Sequence, residues 1–243
     1  MEDFSKKNES EDINVNPWKE ISLSDYEKHM SLENVHQLQA LNQIMQKQFR
    51  DFNVLTEADK LGNTESVPKR KVMILGVAGG NGLEHIAPGQ YEKVYGVDIN
   101  ADYLAKVRER YPELDGMLEC IALDLITEYE KLPKADFVIA NLLVEYIGYE
   151  AFQNVIRQVE PEVISCVIQI NPPADEQQES DWVSSSPYIH AFDGLDKVHH
   201  QMEEEPLWRS LAEIGYEEAE AFSIPLPNGK SFARLDFHQK VVL

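Results

Sequence analysis

From Val72 onward, short runs that are largely apolar on both faces alternate with stretches that are apolar only at helical spacing, and this alternation limits the possible folds more than any other feature. The apolar runs fall at residues 72–76, 93–98, 118–122, 137–141 and 163–171, and the helical stretches start at Gly82 and span 101–111, 151–159 and 206–214. A strand that is apolar on both faces needs cover on both sides, which a parallel sheet sandwiched between helices provides. The last two apolar runs, 220–225 and 231–241, flank a Pro-Asn-Gly turn at 227–229 and predict an antiparallel hairpin closing the sheet. The expected class is therefore doubly wound α/β, with a mostly parallel seven-stranded sheet and a terminal antiparallel hairpin. With 243 residues, 43% of them hydrophobic, one substantial core is the natural outcome.

The residues ahead of this core read differently. Residues 1–18 are polar and predict a loosely ordered lead-in, with Trp18 the first strong anchor. Ser24 and Glu27 are spaced as a capping box, and Val35, Leu38, Leu41, Ile44 and Met45 recur at helical spacing as far as Phe49. The division is thus a lead-in at 1–18, a helical cap at 19–67 and the sheet domain at 68–243. Within the sheet domain, residues 175–205 form a long acidic insertion, expected to act as a substrate lid.

Charge removes several function classes. The 43 acidic against 22 basic residues give a net charge of -21, a field that repels phosphate backbones and anionic lipid surfaces, so neither nucleic acid nor membrane is an expected partner. Cys120 and Cys166 lie far apart in apolar runs and read as reduced thiols. With no basic leader and no apolar run approaching the roughly 20 residues of a membrane span, a cytoplasmic monomer or homodimer is expected. No metal site is expected, since the adjacent His199 and His200 point different ways on most backbones.

The chemistry concentrates where the first strand must turn toward its crossover. The segment Gly76-Val77-Ala78-Gly79-Gly80-Asn81-Gly82 supplies small residues at a strand end, where a bound cofactor can approach backbone. Asp98 ends the second strand, where a carboxylate can accept from both ribose hydroxyls. A helix cap is the alternative use of Asp98. The stretch 74–82 resembles the first motif of class I S-adenosylmethionine-dependent methyltransferases, with its glycine positions on Ala78, Gly80 and Gly82. Gly76 stands where that family usually has an acid, which removes one polar contact to the amino-acid end of the cofactor. Residues 95–100 resemble the second motif, with Asp98 on the ribose and Ile99 beside adenine. Residues 122–125 resemble the third, with Asp124 on the adenine amino group and Leu125 next to it. Residues 135–147 resemble the fourth, with Asn141 beside the methionine moiety.

The resemblance implies the Rossmann-like methyltransferase fold over roughly residues 70–240. It implies S-adenosylmethionine as cofactor, S-adenosylhomocysteine as product and a small-molecule acceptor. Candidates around the acceptor are Tyr26, His29 and Met30 in the cap, Trp182, Tyr188 and His190 in the insertion, and Glu145 and Tyr146 after the fourth strand. Aromatic residues in an acidic loop suit a neutral or cationic acceptor; His29, Tyr26 and Tyr146 are the candidate catalytic groups, since a general base serves only a hydroxyl or protonated amine. The main competitor is a nicotinamide-dependent short-chain reductase, because Gly76, Gly79 and Gly82 also fit a dinucleotide loop. No tyrosine, however, has a lysine four positions later to lower its pKa. A non-catalytic metabolite-binding protein on the same fold is the third reading, and the small residues at Gly80 and Gly82 argue against it. Asn171-Pro172-Pro173 resembles part of an amino-methyltransferase motif, but it ends the fifth strand instead of the fourth.

Overall fold

A computed structural model describes residues 16–60, 69–172 and 183–240, with side chains omitted at 55–60. The sheet comprises β1 (Lys71–Leu75), β2 (Lys93–Asp98), β3 (Leu118–Ala122), β4 (Phe137–Asn141), β5 (Val163–Ile170), β6 (Tyr216–Pro225) and β7 (Ser231–Gln239). Its order is β3-β2-β1-β4-β5-β7-β6, parallel from β3 to β5, with antiparallel β7 inserted between β5 and β6. The order reverses between β1 and β4. In an open parallel sheet, such a switch leaves a crevice at the carboxyl ends of the strands.

Alternation along each strand splits the core. Met73 and Leu75 of β1 face a layer formed by α4 (Val144–Val159) and α5 (Glu204–Glu213), where Phe152, Val155 and Leu211 are buried. Val72 and Ile74 face the opposite layer, formed by α2 (Gln37–Lys60) and α3 (Ala101–Arg110), where Met45, Phe49 and Leu104 are buried. The edge strand β6 is exposed over most of its length and carries Glu217, Glu218 and Glu220, charges that discourage pairing with another chain.

Several local expectations are corrected. The helix expected at Gly82 is a single 3-10 turn, Leu83–His85, followed by Pro88 and a left-handed Gly89. A crossover between parallel strands normally carries a helix; here α2, from the N-terminal side of the chain, fills that layer with Met45, Phe49 and Phe52. The single helix expected from Ser24 to Phe49 is two, α1 (Leu23–Ser31) and α2, broken by a turn at Leu32 with His36 at φ 55°. Its cap is Ser22, whose Oγ accepts from Asp25 N at 3.4 Å. Ser24 is not the cap, and Glu27 pairs instead with Arg110, with 2.9 Å between its Oε2 and the Arg110 Nη2. The expected lead-in lies outside the described residues as far as residue 15, while Pro17–Lys19 forms a 3-10 turn. The helix expected at 151–159 starts earlier, at Val144, with a kink at Gly148.

Asn100 fastens this N-terminal strap. Its Oδ1 caps α3 by accepting from Asp102 N and Tyr103 N, at 3.1 and 3.3 Å, and its Nδ2 donates to Trp18 O and Ile21 O at 3.0 and 3.3 Å. Asn100→Ala is expected to cost about 2 kcal/mol, combining a lost cap with lost strap bonds. Acrylamide quenching of Trp18 fluorescence, in a background with the other tryptophans replaced, should rise with it.

Candidate functional site

The carboxyl ends of β1, β2 and β4 open into a cleft that measures about 1150 Å³ when the solvent at its open mouth is counted. Gly76, Ala78, Asp98, Ile99, Asp124, Leu125 and Asn141 line it from the sheet side, and Tyr26, His29 and Met30 from α1. Glu145 and Tyr146 join them from the first turn of α4. Residues singled out in the sequence thus meet at one opening although they come from widely separated stretches of the chain.

Asp98 is 8% exposed and organises the floor. One oxygen accepts from Ala78 N and the other from Asn100 N, both at 2.9 Å. It is not a helix cap; that role belongs to Asn100. With Ile99 N also a backbone donor, the carboxylate keeps acceptor capacity beyond these bonds. Burial pushes its pKa up to about 6, against the pull of the backbone donors. The bond to Ala78 also holds that residue at φ 46°, a left-handed conformation unfavourable for alanine by roughly 1 kcal/mol. Asp124 accepts from Ile126 N at 2.9 Å, and Asn141 exchanges two amide bonds with the buried Gln48 of α2, at 2.9 and 3.0 Å.

Four predicted cofactor residues lie elsewhere. Val77 is buried in the α2 and α3 layer, packed on Gly96. Asn81 is held by α2, donating to Leu38 O and accepting from Asn42, each at 3.0 Å. Gly80 and Gly82 do not line the cleft either; a Cβ at Gly80 would sit 2.7 Å from the Tyr111 ring and one at Gly82 2.7 Å from Met45 Sδ. The small residues of the loop therefore admit protein, and contrary to expectation their presence does not count against a chain without a cofactor. Tyr188 and His190 are also away from the cleft: Tyr188 lies under Lys28, and His190 is exposed beside Asp193. Trp182 lies outside the described residues.

The insertion reaches the cleft through other residues, Val183, Ser184, Phe192 and His199, and the strap through Trp18. No local pattern announced them, because each is carried there by tertiary packing. His29 Nδ1 bonds Ser186 Oγ at 2.8 Å, and its ring lies 4.6 Å from that of Phe192. Burial, then the charge of Lys230, lowers the pKa of His29; burial, His200 and Lys230 lower that of His199 to about 4. Both imidazoles are neutral at pH 7. Tyr26 and Tyr146 are pushed well above the ordinary phenol range by burial, so both are hydroxyl donors.

Glu145, 3% exposed, is raised by burial to about 7. Because its folded pKa exceeds the unfolded value, the carboxyl contributes stability below about pH 4.5 that is lost as pH rises through 7. Relative to Glu145→Gln, the wild-type protein is expected to lose about 3 kcal/mol across that window, read from urea midpoints at each pH.

Three buried polar atoms without a hydrogen-bond partner, Trp18 Nε1, Tyr103 OH and Glu145 Oε2, belong to cleft residues. Such atoms are costly unless something meets them. Among the described residues no group of three or more acids, histidines or cysteines could hold a metal, and no helix is long and apolar enough to cross a membrane.

No protein-family model and no curated protein sequence matches the chain. Solved structures do. Magnesium protoporphyrin IX methyltransferase from Synechocystis PCC 6803, with S-adenosylmethionine bound, superposes with a TM-score of 0.56 at 15% identity, covering 93% of this chain and 95% of that one. The fold is that of class I methyltransferases. Geranyl diphosphate methyltransferase, also with S-adenosylmethionine, gives a TM-score of 0.54 at 11% identity over 73% of this chain and 81% of its own. The [4+2]-cyclase SpnF gives 0.55 at 11% identity over 72% and 77%. At such identities the likeness establishes architecture, and the architecture explains why the order-reversal crevice and the cleft coincide.

Proposed function

We propose that the protein is an S-adenosylmethionine-dependent methyltransferase acting on a small-molecule acceptor and releasing S-adenosylhomocysteine. The observation that carries this reading is the meeting of Asp98, Asp124 and Asn141, each at or just past a strand end, on one cleft. The residues fit the cofactor: Asp98 has acceptor capacity for ribose hydroxyls, Asp124 for the adenine amino group, and Ile99, Leu123 and Leu125 offer apolar surface for the base. Gly76, Ala78 and Asn141 border the end left for the methionine moiety. The cofactor supplies a methyl carbon on a positively charged sulfur. The protein's part is to hold an acceptor about 3 to 3.5 Å from that carbon and exclude water. The strap and the insertion cover the cleft for that purpose, and neighbours named for small-molecule methyl transfer support the acceptor class.

A reductase is disfavoured by the antiparallel β7 set into the sheet and by the lack of a Tyr-x-x-x-Lys pair. A metabolite-binding or non-transferring protein is the second reading, favoured by Gly76 and by a loop whose glycines Gly79, Gly80 and Gly82 are crowded by side chains from other parts of the chain. Calorimetric titration separates the three. S-adenosylhomocysteine is expected to bind and NADPH not to; the reverse outcome overturns the proposal. Cofactor binding without transfer of label to any acceptor favours the second reading.

A further inference from the structure

Glu145 takes no part in the cofactor assignment, yet it is the most isolated charge-bearing group in the cleft wall. Oε1 accepts from Gln169 N at 2.8 Å, whereas Oε2 is buried with no donor, and among the described residues Glu145 makes no ion pair. A buried carboxylate half-satisfied in this way is costly unless a donor, best a cation, meets it. Its surroundings in the cleft are aromatic. Trp18 and Tyr146 meet edge to face at 4.9 Å, Tyr146 and His199 at 5.8 Å, and Trp18 and Tyr26 at 6.0 Å. Faces of such rings attract organic cations. The neutral states of His29 and His199 leave no imidazolium to oppose one; the charge of Lys230 reaches both rings, but Asp98 and Asp124 add negative charge to that of Glu145 from the sheet side. A carboxylate substrate, by contrast, would face three acids.

We propose that Glu145 recognises the acceptor and receives its proton, and that the acceptor is a small amine bound as its ammonium ion against Trp18, Tyr146 and His199. This rests on the cofactor reading above. In the step, one N–H proton passes to Glu145 Oε2, converting carboxylate to carboxylic acid and ammonium to amine. The freed nitrogen lone pair then forms the bond to the methyl carbon, while the carbon–sulfur bonding pair stays on sulfur as a neutral thioether. A pKa raised to about 7 suits a group that must take a proton and return it to solvent after each turnover.

Benzylamine, benzyl alcohol and benzoate share a ring and differ only in the polar group, so they serve as probes. Each is titrated calorimetrically at pH 8 into the full chain, with and without saturating S-adenosylhomocysteine, for wild type, Glu145→Gln and Glu145→Asp. Benzylamine is expected to bind about tenfold or more tighter than the alcohol, with benzoate weakest. Glu145→Gln should erase the preference while leaving homocysteine-nucleoside affinity unchanged, which also shows that the variant folds; Glu145→Asp should keep part of it. In wild type, label from S-adenosylmethionine should pass to members of a panel of primary and secondary amines and not to matched alcohols. Absent benzylamine binding, a preference for alcohol or benzoate, benzylamine binding unaltered in Glu145→Gln, or transfer to alcohols alone would overturn the proposal. Failure of the homocysteine nucleoside to bind wild type sinks the cofactor reading instead, and the titration without it still decides the role of Glu145.

Discussion

Gly82→Ala is expected to destabilise the protein by about 3 kcal/mol or more, the largest effect of any single methyl group added to the glycine loop. Two costs add. Gly82 sits at φ 96°, where an L side chain is strained, and the added Cβ would meet three side-chain atoms of Met45 at 2.7 to 2.9 Å. Met45 is itself 4% exposed and packed beneath the loop, so it has little room to retreat. Urea unfolding of the two proteins measures the difference. A paired variant, Gly82→Ala with Met45→Ala, should recover part of the loss by relieving the contact while keeping the backbone strain. Equal stability of Gly82→Ala and wild type would show that the loop and α2 separate readily.

Asp98→Ala is expected to weaken S-adenosylhomocysteine binding about 100-fold, roughly 3 kcal/mol, from the loss of charge-assisted bonds to ribose hydroxyls. It also frees Ala78 N and Asn100 N, so the loop and the α3 cap lose their common anchor. The titration carries a pH signature that a purely structural role lacks. The carboxyl titrates at about 6, so nucleoside affinity for wild type should fall as pH drops through 6, while that of Asp98→Ala should stay flat there. Unchanged affinity in the variant would restrict Asp98 to fastening the loop.

The sheet and the acids at its strand ends were legible because both are local. Strand and helix periods can be read within a dozen residues, and Asp98, Asp124 and Asn141 sit where their own strands stop or just beyond. What was missed depends on distant parts of the chain. Nothing around Trp18 reveals that Asn100, 82 positions later, takes hold of its carbonyl, and nothing around Gly82 reveals that Met45 occupies the space its missing side chain leaves. The glycine string is the instructive case: the sequence favours a ligand there, and Gly76 and Ala78 do line the cleft, but Gly80 and Gly82 are small where side chains of the protein itself lie against them. Within the insertion, Phe192 and His199 line the cleft while the expected Tyr188 and His190 do not, a matter of how one irregular segment lies on α1 and α4.

The seat of α2 bears on how the chain is assembled. Gln48 donates to Asn141 and Ser165, which lie 93 and 117 positions later in the chain, at 2.9 and 2.8 Å. On a ribosome adding about 5 to 20 residues per second, this helix emerges roughly 5 to 20 s before its first such partner exists. Until the strands and loops it packs on are made, from Val72 and Ile74 of β1 to Phe137 of β4, the stripe of Met45, Phe49 and Phe52 lacks part of its cover. The earliest long helix to be made is therefore among the last to be seated, and the nascent chain is at its stickiest before its sheet has begun to form.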